Sequence, residues 1–343
     1  MTRPIGYYVH HHGAGHRARA LALADRADGR ITLIGTGLAG RTGPHRCVDL
    51  PDDRLGGAFD GRDGSADRPQ SLHYAPIDHD GTRRRVAAIT GWIAAERPAL
   101  MVIDVSCEIA MLARLASVPT VCVRLAGRRD DIPHLEAFRG AAALVAPFAA
   151  ALDDPATPDW VRRKTVYCPG LVDRAGTQVI EPRSVLVVGG RGGTPADAAT
   201  WARAARATPY RAWRVIGDCD PVIDPPDNLE ILGWVDDAAA RIARAAIVVG
   251  GAGDGVVGTV MAARRPFVCL LEDRPFDEQR SKAARLVAAG AALACDDAAT
   301  ADWPHLLTGV DRLDPGAQAA LDDPQGADRL AAYVIALADG ERG

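Results

Sequence analysis

No run in this 343-residue chain is long and apolar enough to span a membrane, and its start lacks a charged segment followed by an uninterrupted apolar stretch. A cytoplasmic protein is the expectation. Its 7 cysteines are an odd number at irregular spacings, several inside apolar runs such as TVCVRL and PFVCLLE, so neither a disulfide framework nor a zinc signature emerges. A basic balance is missing as well: the formal charge of -4 argues against a broad nucleic-acid footprint. A local basic run, Arg83 to Arg85, opens a helical segment reaching Ala95 and reads as a solvated face, with anionic lipid or an acceptor phosphate as the alternative contact. No phosphate loop ending in GK[ST] occurs in the glycine-rich turns, which leaves nucleoside triphosphate hydrolysis unsupported, and the GxGxxG spacing at Gly253, Gly255 and Gly258 is by itself weak evidence for nicotinamide chemistry.

What is present is a globular composition, with 48% hydrophobic and 24% charged residues, and 35 Gly and 23 Pro supply turns without a low-complexity period. The length allows two domains. Two stretches share one grammar of apolar strand, glycine-rich turn and alanine-rich helix: IGYYVHHHGAGHRARALALA and SVLVVGGRGGTPADAATWARAA. Each reads as the first βα unit of a doubly wound sheet. Further strands are expected at RITLIGT, LMVIDVS, TVCVRL and ALVAPF in the first half, and at RAWRVIG, LEILGWV, AIVVGG and PFVCLLE in the second. The expected fold is therefore α/β, with two Rossmann-like parallel-sheet domains. Residues 1–169 form the first and 184–323 the second, joined by a linker over 170–183, and a terminal helix in 324–343 packs back across the first domain. The stretch from Pro51 to Asp80 lacks periodicity and reads as a functional or mobile loop.

In an open parallel sheet, ligands bind beyond the carboxyl ends of the strands, so two facing lobes build a cleft. Glycine turns let backbone amides approach an anion, and a helix N-terminus adds ~0.3–1 kcal/mol per interaction, which makes a diphosphate the natural guest. The second half carries two such turns, Gly189 to Gly193 and Gly250 to Gly255.

The GxGH at residues 13–16 and the stretch from Trp234 to Ala292 resemble family 28 glycosyltransferases of the GT-B fold, in particular the branch that completes lipid II with UDP-N-acetylglucosamine. The resemblance implies that Gly189, Gly190, Arg191 and Gly192, together with Gly251, Ala252, Gly253, Asp254 and Gly255, hold the donor diphosphate. Trp234 and Val235 would border the base, Asp236 would cap the next helix, and Glu278 and Gln279 would contact the donor sugar. Lys282 stands where the family usually has Asn. Thr259 replaces a glutamate that bridges the two ribose hydroxyls; one hydroxyl makes a single such bond, which leaves the nucleotide open. Asp254 is also unusual, because a carboxylate in that loop repels phosphate unless it turns away or meets a cation.

Strand alternation would send His10 and His12 to one side and His11 to the other, which speaks against convergence on a metal, and a tag fragment would not sit between a strand and its helix. His16, at the first helical turn, faces the expected cleft. The family places this histidine near the reacting centre, and imidazole titrates near neutral pH, so His16 is the candidate base and His12 the second. The bland alternative is a histidine that only hydrogen-bonds substrate or loop. Gly13, Gly15, Asp104, Ser106 and Arg128 are candidate acceptor contacts, with helix capping as the alternative for Asp104 and Ser106 and an ion-pair cluster for the AGRRDDIPH loop. The triplet DCD at 218–220 is set aside as a metal ligand.

The expected activity is inverting, metal-independent transfer of a hexosyl or N-acetylhexosaminyl group from a nucleoside-diphosphate sugar, with UDP favoured, to a small-molecule, glycan or lipid-linked hydroxyl. No cofactor is expected beyond the donor itself, and peripheral membrane contact is admitted for a lipid-linked acceptor. Sugar-nucleotide hydrolases, epimerases and a catalytically silent nucleotide-sugar binder are the rival readings on the same scaffold.

Overall fold

The structure is a computed structural model that describes residues 2–11, 14–190, 197–221 and 223–341. The apolar runs of the first half become β1 (Ile5–Val9), β2 (Ile31–Gly35), β3 (Arg46–Asp49), β4 (Leu100–Asp104), β5 (Thr120–Val123), β6 (Ala143–Ala146) and β7 (Thr165–Tyr167). They form one sheet in the order β3-β2-β1-β4-β5-β6-β7. The second half supplies β8 (Glu181–Val188), β9 (Ala212–Ile216), β10 (Leu229–Gly233), β11 (Ala245–Gly251), β12 (Phe267–Leu270) and β13 (Leu293–Cys295), ordered β10-β9-β8-β11-β12-β13. Every ladder in both sheets is parallel. The strand order reverses between β1 and β4 and again between β8 and β11, and a crevice opens at the carboxyl ends of such switch points.

Helices cover both faces of each sheet, which is why β1, β2 and β4 are uninterrupted buried runs rather than alternating ones. On one face of the first sheet, Tyr7, Leu33 and Val102 pack against Leu23 of α1 (Ala14–Ala24). On the other, Tyr8 and Ile103 meet Ile89 of α2 (Asp80–Glu96) and Ile109 of α3 (Cys107–Leu115). The first lobe is completed by α4 (Ile132–Gly140) and α5 (Asp159–Lys164). The second carries α6 (Ala198–Ala207), α7 (Ala238–Arg244), α8 (Asp254–Ala263), α9 (Glu278–Ala288), α10 (Trp303–Val310) and α11 (Pro315–Ala319). One core cluster joins the lobes, since Ala126, Phe148 and Leu152 of the first pack with Ala283 and Leu286 of α9.

The last helix, α12 (Gly326–Ala338), returns to the first lobe, where Leu330 and Val334 enter the α1 core. Two ion pairs fasten it, Arg26 to Asp328 at 2.6 Å and Arg30 to Asp339 at 2.5 Å. Where it crosses the chain, a Cβ on Gly326 would lie 1.7 Å from the Pro169 carbonyl oxygen, so only glycine fits.

Three short strands, β3, β7 and β13, have no counterpart among the expected ones. Each lies at an edge of its sheet and is half-exposed or short, so none presents the long apolar run that marks a central strand. β8 begins at Glu181, inside the stretch expected as linker, because Glu181 pairs with Ala245 of β11. The stretch 51–79 is irregular apart from one bridge between Arg62 and Ile77, and it is pinned where the Glu108 carboxylate accepts from His73 N at 2.7 Å and Tyr74 N at 3.1 Å.

Candidate functional site

β1 ends at Val9 and α1 starts five residues beyond it, so His16 falls on the first turn of the helix at the carboxyl edge of the sheet. Asp104 ends the neighbouring strand β4, and its side chain is 0% exposed. His16 Nδ1 lies 3.1 Å from Asp104 Oδ1. Arg19, one turn further along α1 and therefore on the same face, donates from Nη2 to both Asp104 oxygens at 3.1 Å and from Nε to Oδ2 at 3.3 Å. Tyr7 donates its hydroxyl to the same carboxylate at 3.3 Å. Burial alone would raise the Asp104 carboxyl, but Arg19 and then His16 outweigh it and hold the group well below the usual carboxylate range.

Opposite stands the second lobe. β11 runs into Ala252 and Gly253, and Asp254 opens α8, whose N-cap Gly253 offers no side chain to its first amides. The Asp254 carboxylate, 12% exposed, meets the fully buried Lys282 ammonium of α9, and Arg19 Nη1 approaches it across the gap at 3.7 Å. Burial pushes the Asp254 carboxyl up, while Lys282 first and Arg19 second pull it down, with a net lowering. The two departures noted in the sequence thus answer each other: the unexpected carboxylate meets the unexpected lysine. One series of polar side chains, His16, Asp104, Arg19, Asp254 and Lys282, runs from lobe to lobe.

The cleft between the lobes encloses about 1670 Å³ of space open to solvent, bordered by Gly15, His16 and Arg19 on one side and by Trp234, Gly253 and Thr259 on the other. Gly189, Gly190, Val235, Gly251, Asp254, Gly255, Glu278 and Gln279 also face it. No family model and no curated protein matches this sequence. Solved structures do match in shape. The rhamnosyltransferase SpnG of spinosyn, in complex with thymidine diphosphate, gives a TM-score of 0.68 at 16% identity over 97% of this chain and 99% of its own. Acinetobacter baumannii MurG gives 0.65 at 15% over 97% and 99%. A Listeria monocytogenes UDP-N-acetylglucosamine 2-epimerase gives 0.61 at 12% over 98% and 96%. The fold is GT-B.

Within this GT-B frame several sequence expectations need correction. Asp104 does not face an acceptor, because it is wholly buried under His16 and Arg19. Ser106 is spent on capping α3, accepting from Ile109 N at 3.2 Å and donating to Glu108 at 3.1 Å. Arg128 is exposed and away from the cleft lining; its backbone N–H donates to the Phe276 carbonyl at 2.6 Å. Asp237, not Asp236, precedes α7, and its carboxylate is drawn to Arg241 at 2.7 Å instead of capping the helix. His10 and His11 do not point to opposite sides, since the strand has already ended and their rings stack at 4.9 Å. His12, Gly13, Arg191 and Gly192 lie outside the described residues.

Other donor-side residues have partners of their own. Gln279 Oε1 accepts from the buried Ala252 N at 2.9 Å and its Nε2 donates to Glu272 at 3.3 Å, bracing the loop. Thr259 donates its hydroxyl back to the Gly255 carbonyl at 2.8 Å, which leaves the oxygen able only to accept from a ligand. Glu278 accepts from Arg129 Nη2 at 2.9 Å.

That last bond belongs to a clasp between the lobes which no local motif announced. The Phe276 ring lies 4.8 Å from His134 and 5.3 Å from His73, with the Arg129 guanidinium 5.1 Å above it. Gly127, at φ 88°, allows the lobes to touch, since a Cβ there would come within 2.4 Å of the Phe276 carbonyl oxygen. His73, Cys107 and His134 bring ligand-type atoms within 4.8 Å of one another. Both His134 nitrogens are nevertheless taken, Nδ1 by Asp131 at 2.8 Å and Nε2 by Arg129 at 3.1 Å, so a metal cation would have to displace a guanidinium. Burial, then Arg129, push His134 down to about 4.

Among the described residues, no helix is long and apolar enough to cross a membrane.

Proposed function

We propose that this chain is an inverting glycosyltransferase that moves a hexosyl or N-acetylhexosaminyl group from a nucleoside-diphosphate sugar to an acceptor hydroxyl without a metal. The observation that carries the reading is His16, held on a buried carboxylate, facing the α8 N-terminus across the cleft. With Nδ1 directed at Asp104, Nε2 is the nitrogen left to take a proton. An acceptor oxygen attacks the anomeric carbon, its proton passes to His16 Nε2, and the bond from that carbon to the diphosphate oxygen breaks on the opposite face. The leaving diphosphate keeps the electron pair, and the free amides and dipole of α8 stabilise its growing charge. Trp234, 47% exposed at the cleft rim, would border the base, and Gly189 and Gly190 extend the backbone cradle.

Thymidine diphosphate in the SpnG structure supports a nucleoside-diphosphate donor, and the UDP-N-acetylglucosamine in the name of the Listeria monocytogenes neighbour is in keeping with a UDP-sugar. Calorimetric titration with nucleoside diphosphates and their sugars tests the reading. Micromolar binding of one diphosphate, followed by glycosyl transfer to a hydroxyl acceptor, is the expected result; no binding by any member rejects it. The epimerase likeness favours a second reading on the same scaffold, and a changed stereocentre or free sugar as the product would select epimerase or hydrolase instead.

A further inference from the structure

His16 Nδ1, Arg19 Nη2 and Asp104 Oδ1 form a triangle whose three sides are each 3.1 Å. Nδ1 cannot serve both corners at once. It either carries a proton and donates to Asp104, or it is bare and accepts from Arg19. In the first case Nε2 has a lone pair for the substrate; in the second Nε2 holds the proton and cannot act as a base.

Arg19 itself is held from both lobes. Nε and Nη2 rest on Asp104 of β4, while Nη1 is directed at Asp254 of α8. Asp254, 3.7 Å from Nη1, is therefore a second carboxylate that can set where the guanidinium sits relative to Nδ1. Lys282, 0% exposed, keeps Asp254 in place, and the Phe148 ring of the first lobe lies 5.9 Å from its ammonium, so this end of the series is also set by how the lobes meet.

We propose that Arg19 is a positioning residue that selects the tautomer of His16, so that the base-competent form depends on Asp254 of the donor lobe being in place. This rests on reading His16 as the base.

The test needs no substrate. In protein labelled with 15N-histidine, two-bond proton–nitrogen spectra at a pH where the ring is neutral report which nitrogen carries the proton, and His16→Gln assigns the signal. Wild type is expected to show the Nδ1–H form. Asp254→Asn combined with Lys282→Met, which removes both buried charges together, should shift the His16 signals to the Nε2–H form. Adding Arg19→Lys, whose single-point ammonium lacks the fork, should restore Nδ1–H. An unchanged tautomer in the Asp254/Lys282 variant, or the same shift with Arg19→Lys present, overturns the proposal. Should this double variant fail to fold, Asp254→Leu combined with Lys282→Leu, which also removes both buried charges, gives the same discrimination. Retained turnover in His16→Gln would remove the base reading while leaving the tautomer result standing.

Discussion

Replacing Asp254 with Asn strikes a point where charges of the two lobes meet. Lys282 is completely buried and Asp254 only 12% exposed, so solvent does little to soften the loss. Removing one member of such a pair strands the other charge in a dry site, which costs about 3–5 kcal/mol. The Asn carbonyl can still accept one hydrogen bond from the ammonium, which places Asp254→Asn near ~3 kcal/mol. Lys282→Met should cost less, because Arg19 remains 3.7 Å from the carboxylate as a second cation. The double variant removes both charges and should return to within ~1 kcal/mol of wild type, since a well-packed apolar replacement of a buried pair is often neutral. Lys282 is one of two lysines in a chain with 40 Lys and Arg together, and its compact ammonium fits a fully buried slot that a guanidinium fork would overfill. Both residues belong to the second lobe, whose Trp201, Trp213 and Trp303 cluster makes fluorescence a reporter of that lobe's unfolding. At ~2–4 °C per kcal/mol for a lobe of this size, Asp254→Asn should lower its transition by roughly 6–12 °C. A shift below about 1 °C, or a double variant as unstable as the two singles added, would refute the buried-pair reasoning.

His16→Ala should lower turnover at least ~100-fold with nucleoside-diphosphate affinity unchanged in calorimetry, whereas near-normal turnover discards the general base. Trp234→Ala should weaken that affinity about tenfold, because an aromatic face under a base is worth ~1–3 kcal/mol; unchanged binding would place the base elsewhere. For acid stability the sign follows from His134: lowered in the folded state to about 4, it stays neutral where the unfolded chain's histidine is protonated. Stability from this group is therefore full above pH ~6.5 and falls toward pH ~4, by on the order of 3 kcal/mol. His134→Gln should flatten the slope of stability between those pH values in denaturant titrations, and an unaltered slope would contradict the assignment. Asp104, Asp254 and Asp131, all lowered, contribute stability present above pH ~4 that is lost only as the pH falls further. Gly127→Ala combines a strained φ with a clash against Phe276, so small-angle scattering should register more open lobes; an unchanged profile would show that the clasp yields locally.

The apolar runs made the central strands legible because a sheet covered on both faces tolerates no polar alternation, and the two glycine-rich βα turns announced where a cleft would form. Edge strands β3 and β13 escaped because they bury too little to leave a pattern. Asp104 was legible as a residue near the site but not in its role: a carboxylate ending a strand looks the same in sequence whether it meets water, a helix cap or a histidine. Arg19 carried no signal at all, sitting in an alanine-rich helix among other arginines.

The sequence by itself determined the doubly wound lobes, the loops at their carboxyl edges and the place of His16 on the first helical turn, because each depends on neighbours a few residues away. Only the tertiary structure decided that Asp104 is buried, that Arg19 links it to Asp254, and that Lys282 answers that carboxylate. Those pairings join residues 85 and 28 positions apart, or lie on different lobes, and a charge declares its partner only once the folded chain has removed water from between them.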